Sequence, residues 1–364
     1  MKLFNCGECG QILHFDNRQC MNCGHRLAFV PGTAVLTDVD EVPEGWLPRG
    51  ETETYLFCTN AQYDACNWLV AGSDRNDFCV ACRHNRTIPN LTIDENLQNW
   101  RRIEQAKHHL FYSLLRLKLP LTTRLEAPQT GLAFDFLADP LNAKGMPQHA
   151  VMTGHDDGVI TLNLAEANDV VREQRRVTMG EPYRTLLGHF RHEIGHYYWD
   201  RLVRDGNRLM DCRAIFGDDI ADYETALQTY YANGPAPNWI DRFVSAYASA
   251  HPWEDFAETW AHYIHIIDTL EMAGAYGLRL RPPESSTLEP ISSDLLDPYC
   301  DSSIEQIMQV WHPIALTVNS LNRCIGQPDF YPFVIAPPVV AKLGFIHDLV
   351  RGNINAQATQ REAA

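Results

Sequence analysis

The sequence predicts an α+β fold in which small metal-stapled β modules precede a mostly helical domain with a small sheet. Three observations predict it. Eight of the eleven cysteines fall before residue 83. Apolar residues recur at helical spacing from about residue 91 onward. Only "GLAFDFLA" and "GVITLNLAEA" in that later region read as strands bounded by turns.

Residues 1–90 hold no long amphipathic run and many turn signals, among them "PGT", "PEG" and "AGSDRND". Such a segment cannot bury enough apolar area to fold unaided, and bound metal supplies the missing stability. "CGECG" and "CMNCGH" set Cys6, Cys9, Cys20 and Cys23 in a CxxC–x10–CxxC array. Each CxxC turns tightly and converges two thiolates, so the pair makes a closed tetrahedral zinc site. Four thiolates leave no position for His25. Cys58, Cys66, Cys79 and Cys82 form a looser set with one CxxC, expected to be a second four-cysteine zinc site; a buried thiol pair is the alternative. Closed shells make both sites structural. The expected divisions are 1–30 and 31–90 for the two modules, 91–352 for the main domain and 353–364 for a flexible polar tail.

"NLQNWRRIEQAKHHLFYSLLRLKL" is a long helix ending at Pro120, with Arg101, Arg102, Lys107, Arg116 and Lys118 read as a solvated basic face. "EPYRTLLGHFRHEIGHYYWDRLVRDG" is a helix opened by Glu-Pro and closed by Asp-Gly. "DYETALQTYYANG" and "DFAETWAHYIHIIDTLEMAGAYG" are two more, each with a glycine stop. Residues 281–300 read as a loop. A helix carrying Pro313 and a last one opened by prolines complete the domain.

A net charge of −16 argues against a protein whose task is gripping phosphate backbones. Residues 1–90, with seven Lys/Arg against eleven Asp/Glu, disfavour nucleic acid as well. No apolar run has the length of a signal peptide or a bilayer span, so a cytoplasmic location and no membrane partner are expected. Thiols stay reduced in that compartment, which favours metal ligation over disulfides.

The chemistry is in "RHEIGHYYWDRL". His192 and His196 stand one helical turn apart on one face and can reach a single zinc at ~2.0–2.1 Å. Glu193 sits where its carboxylate can take a proton from a zinc-activated water attacking a carbonyl. Leu187, Phe190, Ile194 and Tyr197 bury the opposite face, while Gly188 and Gly195 leave room for a neighbouring element. Asp200 is excluded as third ligand, because eight residues of helix rise about 12 Å. "AYASAHPWEDFAETWAHYIH" offers better donors at four-residue intervals, in the order Glu254, Glu258, His262. Glu254 would complete a set of two histidines and one glutamate with an open position, and Glu258 one turn on would accept the N–H of a ligating histidine. Tyr247 is either a core tyrosine or a phenol for the oxyanion.

The pairing of "HEIGHYYWDRL" with "YASAHPWEDFAETWAHYIH" resembles the zincin metallopeptidases with a glutamate third ligand, the gluzincins. More narrowly it resembles a bacterial family of zinc-binding metallopeptidases with an N-terminal zinc ribbon, to which "TGHDDGVITLNLAEA" also looks characteristic. The "EDFAE" element is similar to that of the anthrax lethal factor catalytic domain. The resemblance implies a zincin-like metallopeptidase domain behind zinc-ribbon-type modules, with Glu254 as third ligand, Glu258 behind a histidine and Tyr247 at the oxyanion. It also implies a strand that pairs with extended substrate, for which Val159, Ile160 and Thr161 are the candidates; an interior strand is the alternative. Expected are one catalytic and two structural zinc ions, a peptide or protein substrate, and a possible protein partner for the ribbon. The competing function is a non-proteolytic binding or regulatory protein that uses the zincin-like domain as a scaffold.

Overall fold

The computed structural model describes residues 2–139, 151, 153–179, 181–282, 290–293, 296–300 and 302–352. The tail expected at 353–364 and part of the loop expected at 281–300 lie outside the described residues. Helix and sheet are mixed, and the chain divides into two compact units, Met1–Phe190 and Arg191–Ala364.

In the first unit, β1 (Phe4–Asn5) and β2 (Ile12–Leu13) form a short antiparallel hairpin. β3 (Leu27–Val30), β4 (Val35–Val42), β5 (Gly45–Pro48), β6 (Tyr55–Phe57) and β7 (Leu69–Ala71) follow as a five-stranded antiparallel meander. Its core is Ala28, Val30, Val39 and Leu69, with Trp46, Tyr55 and Phe57 packed against them. β3 pairs with β4 from Leu27↔Asp38 to Val30↔Val35, so the division expected at residue 30 falls inside a ladder.

β8 (Asn85–Thr87) leads to α1 (Asp94–Arg116), then β9 (Ala133–Leu137), β10 (Gly154–Asp156), β11 (Val159–Asn163) and α2 (Asp169–Met179). The sheet order is β10-β11-β9-β8. Here the structure corrects two expectations. Val159, Ile160 and Thr161 pair with β10 on one side and with β9 on the other. Their backbone groups are consumed by the ladder, so this strand has no free edge for an added peptide. Lys107 belongs to no solvated face either: it is fully buried, with its ammonium 3.0 Å from the buried Glu104 carboxylate. A buried charge of this kind persists only when paired.

α3 (Leu186–Tyr198) carries the chain into the second unit. It begins later than the Glu-Pro signal, because Thr185 is the cap: its hydroxyl accepts the Gly188 N–H at 2.9 Å. A π-helical segment, Trp199–Arg204, follows directly, with Asp205 N–H donating to the Asp200 carbonyl. Next come α4 (Leu209–Phe216), α5 (Tyr223–Asn233), α6 (Pro252–Ala275), the strand pair β12 (Arg279–Leu280) and β13 (Ile291–Ser292), α7 (Ile304–Cys324) and α8 (Pro337–Val350). α6 is the hub, packing on α4, α7 and α8. Phe256, Trp260, Ile264 and Ile267 bury its length. Among the described residues no helix is long and apolar enough to cross a membrane.

Candidate metal centre

α6 starts abruptly for local reasons. Pro252 presets the first-turn backbone, and the His251 ring accepts the Trp253 N–H as N-cap. That fixes where Glu254 and Glu258 emerge. α3 can approach because of Gly195: a Cβ there would lie 3.0 Å from Ala257 Cα and 3.2 Å from Trp260 Cβ. Tyr198 stacks on Trp260 one turn further along, with ring centroids 5.0 Å apart.

The approach brings three donors together. His192 Nε2 lies 3.2 Å from His196 Nε2 and 3.1 Å from Glu254 Oε2, and His196 Nε2 is 3.6 Å from the same oxygen. A tetrahedron with bonds of ~2.0–2.1 Å has edges of about 3.4 Å, so the three atoms match one face of a zinc shell. Glu254 Oε2 is buried and accepts no hydrogen bond. Burial opposes the charge of Glu254, but the two imidazoles hold its carboxyl well below the usual range. A buried carboxylate oxygen that faces two imidazole nitrogens at these distances suits a cation once the imidazoles are neutral.

The outer contacts orient these donors. Glu258 Oε1 accepts the His192 Nδ1–H at 2.7 Å, which leaves the Nε2 lone pair facing His196 and Glu254. The Ser245 hydroxyl donates to the other oxygen of Glu258. The Trp253 ring lies against His196 at 3.8 Å between centroids. Glu193 is buried, and burial lifts its carboxyl above the ordinary range against the opposing pull of His192 and His196. The Tyr247 ring sits 6.0 Å from that of His192; burial and the Glu254 carboxylate keep its phenol protonated. Two other residues lie outside the set: His262 is engaged with the Tyr331 hydroxyl at 2.6 Å, and Asp200 pairs with Arg204 at 2.8 Å.

The first unit holds both cysteine sets. Cys6 and Cys23 sulfurs are 3.6 Å apart, as are those of Cys9 and Cys20, close to the ~3.8 Å edge of a tetrahedron with 2.3 Å bonds. Each knuckle closes through a glycine of positive φ: Gly10 (73°) donates to the Cys6 carbonyl and Gly24 (80°) to that of Cys20. Cys58, Cys66, Cys79 and Cys82 also converge, all buried, with Cys66 and Cys79 sulfurs 3.8 Å apart. His108 of α1 joins this second set, its Nε2 lying 3.3 Å from Cys66 and 3.6 Å from Cys82. Its Nδ1–H donates to the Glu104 carbonyl at 2.6 Å.

Comparison with known proteins decides the family. A model described as "Putative zinc-binding metallo-peptidase" matches residues 96–349, and one described as "zinc-ribbon domain" matches residues 3–93. The chain belongs to this metallopeptidase family. Relatives from Mycobacterium bovis and two strains of Mycobacterium tuberculosis are 41% identical over 351 residues, covering 96% of this chain and 95% of theirs. All three bear the name "Uncharacterized protein". No solved structure matches.

Three partners escaped the sequence. Ser245 stands thirteen residues before Glu258 with no motif to mark it. Tyr223, whose hydroxyl meets Glu254, belongs to a helix that the sequence ties to nothing. His108 follows the last residue of the second cysteine set by 26 positions; its one sequence signal is that it lies four residues after Glu104 on the same face of α1.

Proposed function

We propose that this member of the metallopeptidase family is an active zinc-dependent peptidase with a zincin-like, gluzincin-type site. The observation that carries the reading is the convergence of Glu254 Oε2 on the two imidazole nitrogens, with Glu258 fixing the His192 tautomer behind them. His192, His196 and Glu254 would hold the ion and leave a fourth position open. Zinc there supplies Lewis acidity, polarising a peptide carbonyl and bringing the pKa of water toward neutrality.

The chain's own groups do the rest. Glu193, directly after the first ligand, takes the proton of the attacking water and returns it to the leaving amine nitrogen. The protonated Tyr247 phenol donates to the carbonyl oxygen as negative charge develops on it. The two cysteine sets, each offering four thiolates, would hold structural zinc.

A peptide-library digest comparing wild type with Glu193→Gln tests the assignment. Glu193→Gln should retain its metal and lose roughly 10²–10⁴-fold in cleavage rate. Equal cleavage by both proteins would remove the peptidase reading and leave a scaffold.

A further inference from the structure

We infer that Tyr223 is a positioning residue for the third metal ligand, committing Glu254 to the ion through one oxygen. The inference rests on the reading of His192, His196 and Glu254 as a metal site. A carboxylate can bind a cation through one oxygen or both, and the choice decides how many coordination positions remain for water and substrate. Glu254 has its two oxygens in different surroundings. Oε2 is buried, accepts no hydrogen bond and faces the two Nε2 atoms. Oε1 accepts the Tyr223 hydroxyl at 2.5 Å. A phenol O–H on Oε1 takes one of its lone pairs and resists its turning toward the ion.

The phenol is itself aimed by packing. The Tyr223 ring stands edge-on to Trp253 (5.4 Å, 83°) and to His251 (5.3 Å, 87°). Trp253 in turn lies on the His196 ring, so Tyr223 meets Glu254 through its hydroxyl and His196 through one intervening ring. The residue is also anchored from outside its own helix: His251 Nε2–H donates to the Ala221 carbonyl at 3.1 Å, two residues before Tyr223. No side chain of α5, Tyr223 included, is fully buried, so the hydroxyl is held by these few contacts rather than by a core. α5 delivers the Tyr223 hydroxyl to Glu254 and, two turns on, the Tyr230 ring to the edge of Tyr247.

The experiment uses the full chain. Zinc is first removed from the most chelator-labile site, and Co²⁺ is added so that it alone is filled. Wild type, Tyr223→Phe and Tyr231→Phe are then compared for metal affinity by chelator competition and for visible Co²⁺ absorption. Tyr231 lies on the same helix, 66% exposed, and serves as control. Tyr223→Phe keeps the ring and its packing, which preserves the fold. It should weaken affinity about 10–100-fold, as loss of a ligand's hydrogen-bond partner does. Its Co²⁺ bands should lose intensity as Glu254 turns bidentate and the coordination number rises. Tyr231→Phe should match wild type. Equal affinity and spectra for Tyr223→Phe and wild type would overturn the inference while leaving the metal site standing. If His192→Ala instead keeps the labile metal, the reading of the site falls and the inference with it.

Discussion

At residue scale the candidate metal centre depends on an atom that is missing. Gly195 sits between the two candidate histidine-bearing turns of α3, and any side chain there meets the α6 backbone at Ala257. Backbone cannot rotate away as a long side chain can, so a methyl group must push the helices apart by a few tenths of an ångström. Small-to-large changes in packed contacts cost typically about 1–3 kcal/mol. The same displacement would draw His196 away from Glu254, across a gap that is 3.6 Å in the structure. Gly195→Ala is therefore expected to lower the thermal midpoint and weaken the chelator-labile metal together. A loss of stability with metal affinity intact would show that the helix spacing does not set the ligand geometry.

At the scale of elements, a single carboxylate gathers several of them in the first unit. Glu166, in the turn after β11, is buried and lies near Arg175 of α2, Arg184 before α3 and His189 on it. Burial opposes its ionisation, but His189, Arg184 and Arg175 override that and hold its pKa below the ordinary 4.5. A depressed folded-state pKa contributes stability that is complete above the unfolded value and is lost as pH falls through the folded one. Thermal midpoints of wild type and Glu166→Gln should thus be well separated at pH 7 and converge below about pH 4.5. A separation independent of pH would mean that the charge is irrelevant and only shape matters. α2 itself was not legible in the sequence. "DVVREQRRVTM" has few apolar residues, and Val170 and Val177 among them are exposed, so no buried stripe announces it. The π-helical turn after α3 has no sequence mark either. α6 was legible because its start is chemical: Pro252 and two acids in the first turn. The three donors were legible for the same kind of reason, since four-residue spacing places groups on one face whatever surrounds the helix. Tyr223 and His108 were not, because their partners are set by tertiary approach. The interior place of β11 was equally hidden: alternation gives the faces of a strand, and its neighbours belong to the rest of the sheet.

For the whole molecule, the donor sets separate two kinds of metal dependence. The cysteine clusters of the first unit offer four thiolates each, and the second is buried and further enclosed by His108 and Glu104. A closed thiolate shell gives a competing chelator no coordination position from which to begin. The His192–His196–Glu254 set has only three donors, so a chelator can bind the open side before any protein ligand leaves. We therefore expect about three zinc ions per chain on the proposed reading, with one removed first by a neutral chelator and two retained. Hydrolysis should stop with the first loss, while the far-ultraviolet circular dichroism stays nearly unchanged, because α3 and α6 are held by packing at Gly195 and Trp260 as well as by metal. A mercurial that attacks thiolates should release the other two and unfold the knuckles and loops that the thiolates draw together. Metal analysis beside activity and dichroism, read after each reagent, checks the order. Simultaneous loss of all three ions would contradict the division into open and closed sites, as would hydrolysis that survives removal of the labile one.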